Sequence, residues 1–206
     1  MRKSRLIIVI LFLIQIKCVG QRFNGFVYTG ISTSQVSGDA LGGFDKAGVI
    51  LGAGVVSDVS RNHKTLVGME IGYIQKGSRK PSKLAQGDVA TYLLRLNYLE
   101  VPLYLKHAIT SKFYAYAGGA IGVLTSSLEE NEMGVSYDVP FNKFDVSILG
   151  GMEYEITSHW HMNLRLIQSV APIREFGGEV PYAFFDNGQY NTVLAFTLNY
   201  FFKTKK

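Results

Sequence analysis

Glu70, Glu100, Glu153 and Arg165 are the residues of this sequence best placed to share chemistry. Each stands in a segment that alternates between aliphatic and small or polar side chains, and each falls in the small and polar set. Counted from the short connection at one end of its segment, Glu70 lies six residues from Lys64, Glu100 six from Lys106, Arg165 six from His159 and Glu153 four from Thr157. The arithmetic places three carboxylates and one guanidinium near one level of a narrow interior, with Glu100 and Arg165 as the expected pair. Such a cluster can serve as a path for protons or ions, or as a charged plug whose members neutralise one another.

The stretch "LNYLEVPLYL", Leu96 to Leu105, shows how a carboxylate is tolerated in so apolar a run. Leu99, Val101, Leu103 and Leu105 share one strand face, and Tyr98, Glu100, Pro102 and Tyr104 share the other. If the aliphatic face meets lipid, Glu100 points inward. Pro102 lacks a backbone N–H, which predicts a bulge or local irregularity at that position.

The remaining chemistry is thinner. His63, His107, His159 and His161 all fall in or beside short connections, which argues against a histidine-based hydrolase at the opposite rim. His159 and His161 share a strand face and could form a metal pair, but two ligands without a third favour rim histidines over a metal site. The acidic run "LEENEM" has no calcium-loop spacing. In "VPYAFFDNGQYN", Tyr182, Phe184, Phe185 and Tyr190 stand among turn residues and are the expected partner-contact loop. No catalytic, cofactor-binding or metal residue is assigned, and the chain reads as a non-enzyme.

The elements that must position these residues are long strands. Eight segments carry two-residue alternation or strong β composition: Phe23 to Thr33, Lys46 to Val56, Thr65 to Lys76, Tyr92 to Lys106, Phe113 to Thr125, Phe144 to Ile156, Trp160 to Ala171 and Tyr190 to Phe202. Globular strands average about 5 to 6 residues, whereas a tilted membrane-spanning strand needs about 9 to 11. The connections alternate between long and short, as in outer-membrane barrels. The expected fold is therefore all-β: an eight-stranded antiparallel up-and-down transmembrane β-barrel. A secreted lipocalin-like barrel would show the same alternation with its faces reversed, but the polar face here is rich in glycine and poor in lysine, a bad solvent surface.

The N-terminal "MRKSRLIIVILFLIQIKCVGQ" has the layout of a secretory signal peptide, so residues 1–20 read as cleaved and residues 21–206 as the barrel domain. Its apolar core is too short for a membrane-spanning helix, which takes about 20 residues. Lys17, just before Cys18, disfavours lipidation of that cysteine. Removing Arg2, Lys3, Arg5 and Lys17 from the 21 basic residues leaves 17 against 16 acidic ones, so the formal charge of +5 belongs mostly to the leader. Nothing then points to nucleic acid.

Three blocks, "GISTSQVSGDALGGFDKAGVILGAGV", "GMEIGYIQKG" and "LNYLEVPLYLKH", make the chain resemble the PorT-type outer-membrane β-barrel proteins of Gram-negative bacteria, with "YLEVPLYLK" the most specific part. The resemblance implies an outer-membrane barrel with lipid around it. For the family's best-known member it also implies an accessory part in protein secretion to the cell surface, with secretion-machinery or surface proteins as partners. The even strand count, independently, leaves both termini in the periplasm. Such barrels often end on an aromatic residue, whereas Lys203 to Lys206 follow Phe202 here. The expected function is a structural or interaction module; the alternatives are a small pore, a ligand-binding barrel or, less favoured, a barrel enzyme.

Overall fold

The computed structural model describes residues 23–39, 41–60, 64–82, 91–131, 134–135, 140–175 and 188–202. In chain order its strands are β1 (Phe23–Ser37), β2 (Lys46–Asp58), β3 (Thr65–Lys80), β4 (Tyr92–Ala108), β5 (Phe113–Asn131), β6 (Gly134–Val135), β7 (Phe144–Glu155), β8 (Trp160–Ser169), β9 (Arg174–Glu175) and β10 (Gly188–Phe201). The two-residue strands β6 and β9 pair onto β5 and β10. The other eight form an antiparallel barrel that β1 closes against β10, from Phe26↔Phe201 to Ser37↔Tyr190. The expected eight-stranded up-and-down barrel is the observed fold.

Alternation decides which face turns inward. Leu105 is 60% exposed while its neighbour Lys106 is 3% exposed, so the aliphatic side lies outside and the polar side inside. Val49, Met69, Ile71, Leu99, Ile121, Ile148, Leu164 and Phe196 continue the apolar exterior around the ring. At its short-turn edge Trp160 meets Tyr200 edge to face at 4.9 Å, and Tyr200 meets Phe202 at 5.7 Å. Inside, glycine makes room for aromatics. A Cβ at Gly72 would fall on the Tyr28 hydroxyl, and one at Gly68 on the Tyr104 ring.

Several strands run further toward the long-loop end than alternation indicates: β1 to Ser37, β3 to Lys80 and β5 to Asn131. The reason is an inversion of pattern. Along β4 the outward aliphatic row gives way above Leu99 to Asn97 and Arg95, while the inward row changes from Glu100 to the fully buried Leu96 and Leu94. Above the apolar belt the wall is thus polar outside and apolar inside, as a barrel in water would be. Val36, Leu94, Leu96 and Ile173 belong to one buried cluster, with Tyr92, Leu124 and Phe141 packed against it. They cap the lumen at the long-loop end.

The expected irregularity at Pro102 is found only in part. Register is unchanged on both sides of it: Pro102 pairs with Ala120 on β5, and the β3 ladder resumes at Gly72↔Glu100 in the register it had at Met69↔Leu103, leaving a gap opposite Pro102 and Val101. A proline on an inward position omits ladder bonds without adding a residue, so the strand need not slip. The register shift lies instead between Asn97 and Tyr98, where the pairing of β4 with β5 passes over Thr125. The Thr125 hydroxyl donates to the Asn97 carbonyl at 2.9 Å. The bulge coincides with the inversion of pattern.

Candidate functional site in the barrel lumen

All four expected lumen residues, Glu70, Glu100, Glu153 and Arg165, are buried. They do not share one level, and Glu100 does not pair with Arg165. They divide among three tiers of ion pairs stacked along the barrel axis, because strand tilt staggers residues that simple counting from the turns makes level.

Nearest the short turns, Lys106 donates to both oxygens of Glu153 at 2.9 Å, and His161 Nδ1 meets Glu153 Oε1 at 2.7 Å. Asn199 donates to the same carboxylate at 3.2 Å. A cavity of about 420 Å³ opens here, lined among others by Lys106, Tyr114, Glu153, His161 and Phe201. In the middle tier, the Arg165 guanidinium grips Glu70 with two parallel bonds of 2.8 and 2.7 Å and donates through Nε to the Tyr116 hydroxyl at 3.0 Å. Tyr116 in turn donates to Asn163 at 2.6 Å. In the third tier, Lys76 is enclosed between Glu100 and Asp145, 2.9 Å from the latter, with its ammonium 5.1 Å from the centre of the Tyr98 ring. Ser169 and Asn191 also donate to Asp145, at 2.7 and 3.1 Å.

Three members of this system, Lys76, Lys106 and Asp145, escaped sequence reasoning, as did the inward turn of His161. Their signal was parity. Lys76 and Lys106 have the inward parity of Glu70 and Glu100, and three inward carboxylates with one inward guanidinium already demanded more cations. Both lysines stand at the ends of the strands expected from the sequence, where a solvated charge is ordinary. Of the two expected rim histidines, His159 stacks on Tyr200 at 5.8 Å, but His161 is buried and turns into the lumen onto Glu153.

At the long-loop rim, Arg174 donates to Glu129 at 2.7 and 3.1 Å and the Tyr92 hydroxyl donates to it at 2.7 Å, tying β9 to the wall. Burial pushes the Glu129 carboxyl up, but these hydrogen bonds outweigh it and hold the group below the usual carboxylate range. Of the expected contact loop, Tyr182, Phe184 and Phe185 lie outside the described residues. Tyr190 is not a loop residue; it is buried in β10, where it pairs with Ser37, because the strand starts two residues before it.

A closed eight-stranded barrel with an aliphatic belt, an aromatic edge and a lumen filled by ion pairs defines a small outer-membrane-type barrel. Residues 21–175 match the family described as outer membrane protein beta-barrel domain, and the chain belongs to that family. Among solved structures it is similar to Neisserial surface protein A, with 12% identity, a TM-score of 0.54, and coverage of 86% of this chain and 97% of that one. It is also similar to Ail, the attachment invasion locus protein of Yersinia pestis, with 10% identity, a TM-score of 0.49 and coverage of 88% and 99%. For the E. coli outer membrane protein W the values are 20%, 0.41, 89% and 100%. At such identities the likeness is one of fold, and it rests on the neisserial barrel. No curated protein matches the sequence significantly.

The protein is an outer-membrane β-barrel, and lipid covers its aliphatic face. Val101, 47% exposed in the middle of that face, gives an expected result. Val101→Arg should destabilise by roughly 2 to 4 kcal/mol near the bilayer midplane. Val101→Leu should be nearly silent. Reversible unfolding in lipid vesicles checks both, and equal stability of the two variants would exclude lipid contact at Val101.

Proposed function

We propose that the protein is a non-enzymatic structural or interaction module of the outer membrane, of PorT type, with an accessory part in delivering proteins to the cell surface. Residues 1–20 act as its cleaved signal peptide, and the short turns and both termini face the periplasm. One observation carries the choice of a module over a pore: three tiers of buried ion pairs lie across the lumen beneath a cap of buried aliphatic side chains. An eight-stranded barrel is just wide enough for its side chains to fill it. The "YLEVPLYLK" block supports the PorT-type reading; it lies in β4 and supplies Tyr98, Glu100, Tyr104 and Lys106 to the filled interior. The aromatic segment with Tyr182, Phe184 and Phe185 is the proposed partner contact.

Purified protein in planar bilayers should show little steady conductance. Persistent channels of porin size would put the pore reading first. Affinity capture of the membrane-embedded protein tests the secretion role, which predicts recovery of secretion components; recovery of none would leave a structural barrel.

A further inference from the structure

The wall of the barrel parts at the long-loop rim between β2 and β3. Their ladder ends at Ile50↔Ile74, yet β2 continues to Lys46 along β1, and β3 continues to Lys80 along β4. Beside this divergence lies a cavity of about 550 Å³ that reaches across the upper parts of β3 and β4 to the end of β5. Lys46, Arg79, Lys80 and Arg95 line it, and Glu130 is the one carboxylate among its described lining residues.

Three of these cations, Lys46, Arg79 and Arg95, differ from the cations of the lumen. Lys76, Lys106 and Arg165 each meet a buried carboxylate. Among the ion pairs between described residues, none involves Lys46, Arg79 or Arg95. Lys46 is only 4% exposed, and its ammonium donates to a neutral group, the Ala47 carbonyl, at 2.7 Å. Arg79 and Arg95 line the same cavity as that ammonium. A buried cation crowded by two guanidiniums is a poor arrangement until an anion joins it.

Height along the wall identifies the anion's carrier. Arg95 stands on the outward face four residues above Leu99, the top of the aliphatic row on β4. At about 3.3 Å per residue that is roughly 13 Å along a tilted strand, which brings the arginine to the polar headgroup layer. Exposed Thr125, Ser126 and Ser127 on β5 mark the same polar zone. Guanidinium groups match phosphate oxygens in fork geometry, and a lysine adds a point charge.

We propose that this cavity binds the phosphate of an anionic glycolipid headgroup, with Arg79 and Arg95 gripping the phosphate from the wall and Lys46 from behind. That the lipid belongs to the outer leaflet rests on the orientation proposed above; phosphate binding itself does not.

The test uses the full mature chain in nanodiscs containing either bis-phosphorylated lipid A or the same lipid with its phosphates removed, with native mass spectrometry reading the lipid retained. The phosphorylated form should be retained at least tenfold more, and Arg79→Glu with Arg95→Glu should abolish the preference. Arg79→Gln with Arg95→Gln should weaken it, and unchanged heat-modifiable gel mobility shows that the variants are folded. Titration with inorganic pyrophosphate separates the sources. Competition with lipid A supports the headgroup assignment, whereas pyrophosphate binding without a preference for phosphorylated lipid overturns it in favour of a soluble phosphate. Equal retention of both lipids with no response to pyrophosphate, or a preference that survives charge reversal, overturns the anion site. Labelling of Ser127→Cys from outside intact cells tests orientation separately: a label-resistant but folded variant would overturn the orientation and leave phosphate binding standing.

Discussion

Arg165→Met should destabilise the barrel by about 3 to 5 kcal/mol, because it leaves the Glu70 carboxylate buried without its partner. The size follows from the geometry. The two parallel bonds between Arg165 and Glu70 join β8 to β3 across the lumen, and both side chains are almost fully enclosed. Removing both charges is a different experiment. Glu70→Met added to Arg165→Met should recover most of the loss, since a buried pair replaced by apolar groups of similar volume is often neutral. Tyr116 limits the recovery, because its hydroxyl loses the Nε donor at 3.0 Å and keeps its bond to Asn163. The control is Glu100→Leu, which should combine additively with Arg165→Met because the two residues belong to different tiers. Unfolding midpoints in lipid vesicles measure all of these variants. Strong coupling of Arg165 to Glu100, and none to Glu70, would mean that the tiers are wrongly assigned.

The spanning part of this fold was legible because lipid imposes one rule on every strand. Aliphatic side chains outside and small or polar ones inside make parity sufficient, so Leu99, Val101, Leu103 and Leu105 could all be placed from sequence. The rule stops where the membrane stops. Leu94 and Leu96 have the same parity as Glu100, and their burial at the long-loop end reverses the pattern that marked β4 below them. Strand ends such as Ser37, Lys80 and Asn131 were hidden for the same reason.

The charged interior was legible as a set of residues but not as a set of pairs. Parity says that Glu70, Glu100, Glu153 and Arg165 face inward. Which carboxylate reaches which cation depends on the stagger around a closed ring, and that stagger accumulates over every ladder between the two strands. Arg165 and Glu70 lie on β8 and β3, so their meeting is a property of the whole barrel and not of either segment. Lys106 lies at the short-turn end of β4 and Lys76 well up β3; both have the inward parity, and their long side chains carry charge to carboxylates on other strands.

Lys76→Met should destabilise at least as much as Arg165→Met, by about 3 to 5 kcal/mol, because one ammonium faces two carboxylates. Lys76 is fully buried, with Glu100 from β4 on one side and Asp145 from β7 on the other. Its loss leaves two like charges close together in the interior, and the two do not suffer equally. Asp145 keeps hydrogen bonds from Ser169 at 2.7 Å and Asn191 at 3.1 Å, so part of its charge stays compensated. Glu100 loses the ion-pair partner it has in this tier. A second substitution separates the two: Glu100→Leu should rescue Lys76→Met by more than half, whereas Asp145→Asn should rescue it less, since the asparagine disturbs the donors already aimed at that site. Glu100→Leu alone should be milder than Lys76→Met, because Lys76 then still has Asp145. Unfolding of the four variants in lipid vesicles gives the order directly. Equal rescue by the two second-site changes would show that Lys76 serves both carboxylates alike. A harmless Lys76→Met would show that water, not the lysine, compensates the third tier.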